Sequence, residues 1–303
     1  MTLPNFLILG AIKCGTTSLY RYLMEHPQVF MSDPKEPKFF AYEGEDVRFE
    51  GPGDREKNRL LVNNIEAYRA LFQGVTDQRA IGEATAFYLY LPKAADRIQH
   101  YIPRAQFFAI LRNPADRAYS AFLHLFRDGR EPIHDFPQAL EAEPGRIARN
   151  FHPVWHYKSV GFYYEQVKRY LERFDRNQLH IYLYEDLKKN PMAIVQEMYQ
   201  ILGVDDSFAP DLSKRYNVGA VPKSFALQSA LMKISPVRRG IHRRLPYPLK
   251  WRFKLGFERI EGWNRREPPP LNPEVRASLL ECYREDISRL QDLLQRDLGH
   301  WLN

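Results

Sequence analysis

Short apolar runs alternate with amphipathic stretches along most of the chain. An apolar run of about four to eight residues, bounded by turn residues, is typical of a buried strand, whereas apolar residues spaced three and four apart indicate a helix. The alternation predicts an α/β fold of three layers, in which a central, mostly parallel sheet is flanked by helices. The predicted strands are Asn5–Gly10, Arg79–Glu83, Gln106–Leu111 and Leu179–Tyr184.

Helices are predicted between and after these strands, with start and stop signals at several ends. Pro27 ends the first helix and Gly203 the fourth, while Pro114 and Pro273 fit a first helical turn, where the missing N–H costs nothing. Asn272 is placed to cap the last helix, which has one long apolar stripe. The predicted helices are Thr16–His26, one that starts at Pro114, Gly161–Phe174, Pro191–Leu202 and one after Asn272 with a stripe of Val275, Leu279, Tyr283, Ile287, Leu290 and Leu294.

The chain has no internal repeat and no flexible linker that would divide it. Its 303 residues exceed a usual domain of about 100–200 residues but remain within the size of one large α/β domain. We therefore expect residues 1–303 to form a single domain. Within it, about 208–270 is expected to be a basic, less regular insert that is rich in proline.

Composition favours a folded protein without cross-links or membrane spans. Apolar residues make up 44% and charged residues 27%, with no low-complexity tract, which argues against disorder. The two cysteines exclude a disulfide framework and a four-cysteine zinc site. No apolar run approaches the roughly 18 residues of a transmembrane helix, and Phe6–Leu9 is too short for a signal-peptide core. A cytoplasmic protein is expected.

The excess of basic residues lies in one segment. The chain has a net charge of +7, and residues 223–257 carry nine basic side chains and no acidic one. Since that segment contributes +9, the rest of the chain carries −2. The segment fits a solvated surface with one or two cofactor contacts, a docking site for an acidic acceptor such as an anionic glycan or an acyl carrier protein, or a membrane surface. Nucleic acid is not expected, because no nucleic-acid-binding motif accompanies the charge.

A glycine-rich turn joins the first predicted strand to the first predicted helix. Its sequence is Gly-Ala-Ile-Lys-Cys-Gly-Thr-Thr-Ser over residues 10–18. Such a turn directs backbone N–H groups and the positive end of a helix toward an anion. It resembles the phosphate-binding loop of nucleoside-triphosphate enzymes, but Thr16 stands where that motif has its lysine, and the lysine lies within the loop as Lys13. The alternative is an ordinary strand-to-helix turn that happens to contain glycine and lysine.

Arg112 follows the strand Gln106–Leu111, where magnesium-dependent kinases and ATPases usually have an aspartate. An arginine binds phosphate directly through its forked guanidinium and repels a divalent cation. Lys13 and Arg112 together indicate an anionic nucleotide that is held by protein cations, without a metal.

Two motifs resemble those of sulfotransferases that use 3′-phosphoadenosine-5′-phosphosulfate (PAPS). Gly10–Leu19 resembles the loop for the 5′-phosphosulfate, and Arg112–Ser120 resembles the motif in which an arginine and a serine eight residues later contact the 3′-phosphate. The resemblance continues through Glu185–Leu187, Tyr283–Ile287 and Arg296–Trp301, and is nearest to the bacterial enzymes and the heparan-sulfate type. It implies a P-loop-like fold, PAPS as sulfuryl donor, 3′,5′-ADP as product, no metal, and an acceptor hydroxyl on a carbohydrate, a lipid or a carrier-bound hydroxyacyl group.

The resemblance also assigns roles to residues of the two motifs. Lys13 is expected to bind the 5′-phosphosulfate and to stabilise the charge that develops on the bridging oxygen as the S–O bond breaks. Arg112 and Ser120 are expected to hold the 3′-phosphate. The loop residues expected to surround the 5′-phosphosulfate are Cys14, Gly15, Thr16, Thr17 and Ser18.

Glu36 is the candidate base for the acceptor hydroxyl. It lies in Pro-Lys-Glu-Pro-Lys-Phe-Phe over residues 34–40, which resembles the Lys-Glu…Phe-Phe pattern that carries the base of the heparan-sulfate type. Burial beside the two phenylalanines is expected to raise its pKa above an ordinary value of about 4.3, while Lys35 and Lys38 are expected to lower it. Lys35 is placed with Glu36 on the substrate side. The alternative is a solvated charged turn.

His124 and Glu83 are further candidates by resemblance. On a helix, His124 projects from nearly the same face as Ser120, four residues earlier, and the heparan-sulfate type has a histidine there that is linked to catalysis. The alternative is a packed or surface histidine. Glu83 ends a predicted strand and resembles a Glu-Lys-Ser/Thr segment that lines the acceptor cleft, but Ala84 replaces the lysine. That replacement argues against a heparan-like acceptor.

A third nucleotide-contacting segment has two candidates. The heparan-sulfate type has a Lys-Gly-Arg loop before its last helix, and the matching positions here are Asn264, Arg265 and Arg266. Lys223, in Val-Pro-Lys-Ser, is the rival. Two other functions remain open, namely a diverged P-loop kinase and a non-catalytic binder of acidic polymers.

Overall fold

The computed structural model describes residues 2–213, 221–224, 227, 230 and 262–302. Most of the predicted insert over 208–270, and most of the basic segment 223–257, lies outside the described residues. Within the described part of the chain, no helix is both long enough and apolar enough to cross a membrane.

Five strands pair in parallel to form the central sheet. They are β1 (Phe6–Gly10), β2 (Val29–Met31), β3 (Ala80–Ala84), β4 (Gln106–Leu111) and β5 (Leu179–Leu183). Their spatial order is β2-β3-β1-β4-β5, which puts β1 in the middle. The parallel sheet predicted from the sequence is confirmed, and four strands match the predicted ones to within a residue at each end. Strand β2 has only three residues, too few to give a periodic signal.

Helices flank this sheet. Those of the described residues are α1 (Thr16–Met24), α2 (Phe39–Tyr42), α3 (Arg55–Arg59), α4 (Ile65–Ala70), α5 (Pro92–Tyr101), α6 (Pro114–Arg127), α7 (Phe136–Glu141), α8 (Glu143–Ala148), α9 (Tyr164–Leu171), α10 (Tyr184–Lys189), α11 (Pro191–Leu202) and α12 (Pro273–Leu294). Short 3-10 turns cover Pro153–Trp155, Ser159–Gly161, Arg176–Gln178 and Gly299–Leu302. A separate antiparallel ladder joins β6 (Val221–Pro222) to β7 (Arg265–Arg266).

The middle strand of the sheet, β1, lies fully within the core. Every residue of β1 is buried, as expected for a strand with helices on both faces of a parallel sheet. Phe6 of β1 pairs with Gly82 of β3, and a Cβ on Gly82 would lie 2.2 Å from Cζ of the Phe6 ring. Gly82 is therefore required because the aromatic ring occupies the space of a side chain.

Helix α9 is shorter than the predicted helix Gly161–Phe174, because its start is decided by a distant residue. Gly161 ends a 3-10 turn instead. The carboxylate of Asp286, in α12, accepts the backbone N–H of Tyr163 at 2.8 Å and that of Tyr164 at 3.2 Å. A cap that comes from 123 positions along the chain leaves no local sequence signal.

The sheet has a point at which the direction of its connections reverses. From β1 the chain passes through α1 to β2 on one side, whereas from β4 it passes to β5 on the other. In open parallel sheets, ligands bind outside the carboxyl ends of the strands at such a point. The glycine-rich loop follows β1 and Arg112 follows β4, so the two motifs meet there.

Candidate active site

A cavity of about 850 Å³ opens at the carboxyl ends of β1, β3 and β4. Its walls come from the glycine-rich loop, the segments after β2 and β3, helix α6 and the chain before α12. The fold therefore brings both motifs and the candidate base to one space. The sequence-predicted site residues that line it are Lys13, Gly15, Thr16, Thr17, Ser18, Glu36, Arg112, Ser120 and His124.

Gly15 shapes the turn that leads into α1. Its φ of +98° lies in the left-handed region, and a Cβ there would lie 2.9 Å from Cδ2 of Leu187 in α10. The left-handed backbone therefore favours glycine, and a side chain there would also displace the end of Leu187. Gly15 provides no side-chain cap, so the first N–H groups of α1 are open to an anion beside Thr17 and Ser18.

Lys13 lines the cavity just before this turn. Its φ of +68° is uncommon for a residue with a side chain, and such conformations cluster at functional sites. Burial, followed by the charges of Arg127 and Arg112, lowers the pKa of its ammonium from 10.5 to about 8. An anion bound among these cations would raise that pKa again, because it favours the charged form.

Arg112 and Ser120 border the same cavity. The guanidinium of Arg112 lies over the ring of Tyr184, with its carbon 4.8 Å from the ring centroid, which restricts its orientation. The backbone carbonyl of Arg112 accepts a hydrogen bond from the Tyr163 hydroxyl at 3.1 Å. Asn113 caps α6 and donates to the carbonyl of Trp301 at 2.8 Å, which anchors the start of the helix that carries Ser120.

His124 lies on α6 and is held as a neutral ring. Burial, followed by the charges of Lys13 and Arg127, lowers the pKa of His124 from 6.5 to about 2. Arg127 donates to Nδ1 at 2.9 Å, so the neutral ring carries its proton on Nε2. Nε2 lies 3.7 Å from the carboxylate of Asp128. At neutral pH His124 can therefore donate one hydrogen bond from Nε2 but cannot supply a positive charge.

Glu36 approaches the cavity from the other side of Lys13. Its N–H donates to the carbonyl of Ala84 at the end of β3 at 3.0 Å. Since β3 and β4 lie on opposite sides of β1, Glu36 and Arg112 border the cavity from opposite directions. The carboxylate of Glu36 pairs with Nζ of Lys35 at 2.9 Å. Lys35 itself lies outside the lining of the cavity.

The charge on Glu36 is set by neighbouring lysines. Burial raises the pKa of its carboxyl, but the Lys35 ion pair and the charges of Lys57 and Lys38 outweigh burial, and the pKa falls from 4.5 to about 2. Of the two opposing effects expected from the sequence, the lysines therefore dominate. Glu36 is ionised at neutral pH, but it attracts a proton only weakly while these charges surround it.

Lys38 supports the Glu36 segment from beneath. It is 1% exposed, and its Nζ donates to the backbone carbonyl of Lys57 at 3.1 Å. Its N–H donates to the Thr85 hydroxyl at 3.3 Å. Burial and the charge of Lys57 lower the pKa of Lys38 to about 8. Glu36 and Lys38 both have left-handed φ values, +63° and +69°, so the segment that carries the candidate base is backbone-strained.

Glu83 is fully buried and does not line the cavity. Three hydroxyls donate to its carboxylate, those of Tyr88 at 2.6 Å, Thr85 at 2.9 Å and Tyr68 at 3.2 Å. Burial nevertheless raises the pKa of Glu83 from 4.5 to about 7, with Glu36 adding to the rise. The structure thus places Glu83 under the Glu36 segment, where it contacts Thr85 and through it Lys38.

Cys14 belongs to the framework of the loop. Its side chain is buried, with Sγ 3.8 Å from the Tyr163 hydroxyl, and its N–H donates to the carbonyl of Ala11 at 3.2 Å. Burial raises the pKa of the thiol to about 11, so it is not a thiolate at neutral pH. The structure does not bring the Cys14 side chain to the cavity.

The two candidates for a third nucleotide-contacting segment meet in the β6–β7 ladder. The N–H of Lys223 donates to the carbonyl of Asn264 at 2.6 Å, and Pro222 pairs with Arg265. Nζ of Lys223 lies 5.6 Å from the ring centroid of the exposed Trp263. Neither Lys223 nor Arg266 lines the cavity, although β6 lies against α6.

Several cavity residues were missed by the sequence reasoning. Those with basic or imidazole side chains are Lys57, Arg127, Arg130, His152 and Lys188. Arg127 follows His124 by three positions on α6, a spacing that could have indicated it. Arg130 and His152 have no such signal, because the buried carboxylate of Asp54 brings them together by pairing with Arg130 and accepting the N–H of His152 at 3.0 Å.

The chain before α12 closes one wall of the cavity. Pro268, Pro269, Pro270 and Leu271 line it, and the Tyr119 hydroxyl donates to the carbonyl of Pro269 at 3.0 Å. Across the described residues, no group of three or more His, Cys, Asp or Glu side chains is arranged to hold a metal ion.

Comparison with known proteins identifies the family. The model of the sulfotransferase family matches residues 4–208. The chain belongs to the sulfotransferase family. This sulfotransferase is 27% identical over 316 residues to the bifunctional heparan sulfate N-deacetylase/N-sulfotransferase 4 of Mus musculus, an alignment that covers 99% of this chain and 31% of that protein. The chain therefore spans about a third of the length of that relative.

Two further sulfotransferases extend the comparison. A membrane-associated sulfotransferase of Dictyostelium discoideum is 23% identical over 332 residues, which cover 83% of this chain and 67% of that protein. A sulfotransferase crystal structure from Alicyclobacillus acidocaldarius superposes with a TM-score of 0.78 and 34% identity over 100% of both chains. The resemblance inferred from the two motifs, and the P-loop-like three-layer fold that it implied, are confirmed.

Proposed function

We propose that this sulfotransferase transfers the sulfuryl group of PAPS to an acceptor hydroxyl and releases 3′,5′-ADP. The observation that carries the proposal is the convergence of Lys13, Arg112 and Ser120 with the uncapped N-terminus of α1 on one cavity. Two separated cationic groups suit a nucleotide with anions at both its 5′ and 3′ positions.

The residues present fit PAPS as donor. The open N–H groups of α1, Lys13 and the hydroxyls of Thr17 and Ser18 suit the 5′-phosphosulfate, and Arg112 with Ser120 suits the 3′-phosphate. When bound, PAPS supplies an activated sulfuryl group and a stable nucleotide leaving group. Lys13 is the cation placed to stabilise negative charge on that leaving group.

On the acceptor side, Glu36 takes the hydroxyl proton and His124 orients the hydroxyl. Glu36 is ionised and lines the cavity, as a base requires. His124 is neutral with its proton on Nε2, so its role is that of a hydrogen-bond donor. Lys35 tunes Glu36 through their ion pair, and Glu83 supports the Glu36 segment from the core.

The β6–β7 ladder is proposed to provide the third nucleotide contact as one unit. Arg265–Arg266 form β7, and Lys223 directly follows β6 and extends the ladder through its hydrogen bond to Asn264, so the two candidate segments are adjacent. The acceptor hydroxyl is proposed to lie on a carbohydrate, a lipid or a carrier-bound hydroxyacyl group. An anionic glycan or an acyl carrier protein is the partner we would test first, with the reaction placed in the cytoplasm.

Nucleotide binding without metal is the first test. In EDTA, 3′,5′-ADP should raise the melting temperature, because a ligand that binds only the folded state stabilises it. A diverged kinase would instead be stabilised by ATP with Mg²⁺ and not by 3′,5′-ADP. Labelled PAPS offered with alcohols, glycans and carrier-bound hydroxyacyl groups then tests for transfer.

A non-catalytic binder of acidic polymers would behave differently from both enzymes. It would bind a polymer such as heparin with a steep dependence on salt, and Lys13→Met would leave that binding unchanged. The proposed sulfotransferase should lose nucleotide binding in the same variant. Absence of any stabilisation by 3′,5′-ADP would overturn the proposal.

A further inference from the structure

The two ends of the cavity differ in how their charged groups are used. Near α1, Lys13 and Arg112 are accounted for by a nucleotide. Near α3 and the segment after α8, Lys57, Arg130 and His152 line the cavity without an assigned role. Arg130 is held by Asp54, and its Nε donates to the carbonyl of Pro52 at 2.7 Å. Lys57 and His152 therefore line the cavity without a role in the proposed sulfuryl transfer.

The ring of His152 has a buried N–H donor that finds no acceptor among the residues that the structure describes. The residue is 3% exposed, and its Nδ1 accepts the N–H of Val154 at 3.2 Å. Burial and the charges of Lys38 and Lys57 hold the pKa of His152 well below its ordinary value. The neutral ring therefore carries its proton on Nε2, and in the described part of the chain Nε2 has no hydrogen-bond partner. A buried N–H without an acceptor is destabilising, which favours a ligand that supplies one.

Lys57 provides a cation in the same place. The side chain of Lys57 lines the cavity. Its backbone carbonyl accepts a hydrogen bond from Nζ of Lys38, which anchors the backbone from which that side chain extends. Among the described residues its ammonium has no ion-pair partner, whereas Lys35 pairs with Glu36 and Arg127 with Asp128. A free ammonium beside a buried, unsatisfied N–H is the chemistry of an anion subsite.

We propose that Lys57 and the Nε2–H of His152 form a binding site for an anionic oxygen group, a carboxylate or a sulfate, that the acceptor carries near its reacting hydroxyl. The assignment of the anion to an acceptor rests on the proposed function. The existence of an anion-binding site does not depend on it. Arg130 is placed to add charge from its position beside Asp54.

The site would couple acceptor binding to the proposed base. Lys57 is one of the charges that lower the pKa of Glu36. An anion on Lys57 offsets that charge, which raises the proton affinity of Glu36 when an acceptor is present. Glu36 is a weak base in the free protein, and the bound substrate would make it a stronger one.

Binding of three small sugars tests the site directly. Glucuronate carries a carboxylate, glucose 6-sulfate carries a sulfate, and glucose is the neutral counterpart. Titrations monitored by NMR, with 3′,5′-ADP present to fill the nucleotide end, should show tighter binding of the charged sugars than of glucose. Lys57→Met should weaken the charged sugars about tenfold, as expected for a lost charge-assisted hydrogen bond, and leave glucose unchanged. Lys168→Met, on the exposed surface of α9, is the matched control.

A second readout does not depend on any variant. The Nε2 proton of His152 should shift in histidine ¹H–¹⁵N spectra when a charged sugar is added, and should stay in place with glucose. Equal affinity of wild type and Lys57→Met for both charged sugars, or an unmoved His152 signal, overturns the proposal. Repeating the titration without nucleotide separates the two proposals. If the charged sugars still bind but 3′,5′-ADP does not, only the assignment of PAPS as donor is rejected, and the anion site stands.

Discussion

The proposed donor side and the proposed acceptor side of the cavity are built in different ways. On the donor side, Lys13 lies in the loop after β1 and Arg112 directly follows β4; these strands are adjacent in the sheet, and each residue belongs to a short contiguous motif. On the acceptor side, Glu36, Lys57 and His152 come from three separate segments. Two short stretches of sequence are enough to form the donor side, whereas contacts between residues far apart in the chain assemble the acceptor side.

The difference extends to how charge is used. The donor side concentrates cations that an incoming anion would satisfy. On the acceptor side and in the core beneath it, the pKa values of two carboxyl groups move in opposite directions, that of Glu36 down to about 2 because lysines surround it and that of Glu83 up to about 7 because it is buried. The donor side is therefore prepared before binding, whereas the acceptor side depends on charges that a substrate changes.

Removal of the proposed base should have the largest effect. Glu36→Gln should lower turnover about 10²–10⁴-fold, the usual contribution of a general base, with little change in 3′,5′-ADP affinity. Glu281→Gln, on the exposed face of α12, is the control. Transfer from labelled PAPS and nucleotide titration measure the two sides separately. Unchanged turnover would remove Glu36 from the mechanism.

Loss of Lys13 should come next and should affect both chemistry and binding. Lys13→Met should lower turnover about 10²–10³-fold, as when a donor to a developing oxyanion is removed. In the wild type, affinity for 3′,5′-ADP should fall as the pH rises through about 8, because the ammonium then loses its proton. Lys13→Arg should flatten this profile across the alkaline range. A wild-type profile that is already flat would contradict the assignment.

Arg112→Ala should chiefly affect nucleotide affinity. A lost hydrogen-bonded charge contact corresponds to about 10–100-fold weaker binding of 3′,5′-ADP. The variant should also lose the preference for 3′,5′-ADP over 5′-AMP, which lacks the 3′-phosphate. Calorimetric titration of both nucleotides measures this preference. A variant that keeps it would place the 3′-phosphate elsewhere, with the β6–β7 ladder as the next site to test.

Lys35→Met should produce a smaller effect that is specific to the acceptor side. Lys35 is the main charge that lowers the pKa of Glu36, so its removal raises that pKa. The wild type should keep its activity toward acidic pH, since Glu36 stays ionised down to about 2. The variant should lose kcat/KM at a higher pH, as its carboxylate becomes protonated. Coincident acid limbs in the two proteins would show that Lys35 does not tune Glu36.

Glu83→Gln should change stability rather than chemistry. The folded-state pKa of Glu83 is about 7, above its ordinary 4.5, so the stability that Glu83 contributes is complete below pH 4.5 and is lost as the pH rises through 7. Between pH 4.5 and 7 and above, the free energy of unfolding of the neutral variant should therefore rise relative to that of the wild type, by up to about 3 kcal/mol. Thermal unfolding across that window measures it. Asp286, whose pKa is raised to about 6, titrates in both proteins, so its contribution cancels in the difference between their stabilities. A constant difference across this range would contradict the shift.

Much of the fold and of the donor side could be predicted, because the relevant signals are local. The strands β1 and β4 are continuous apolar runs, and the loop between β1 and α1 contains its glycine and lysine within nine residues. Short or remotely supported elements could not be predicted. Strand β2 has three residues, and the start of α9 is capped by Asp286 from α12.

By itself, the sequence determined four of the five strands of the sheet, the glycine-rich turn after β1, and the two motifs that contain Lys13, Arg112 and Ser120. Only the tertiary structure decided that Lys57 and His152 join the cavity, that Glu83 is buried, and that lysines overcome burial at Glu36. The physical reason is that backbone geometry depends on neighbouring residues in the chain, whereas Coulomb interactions and burial depend on distance in space.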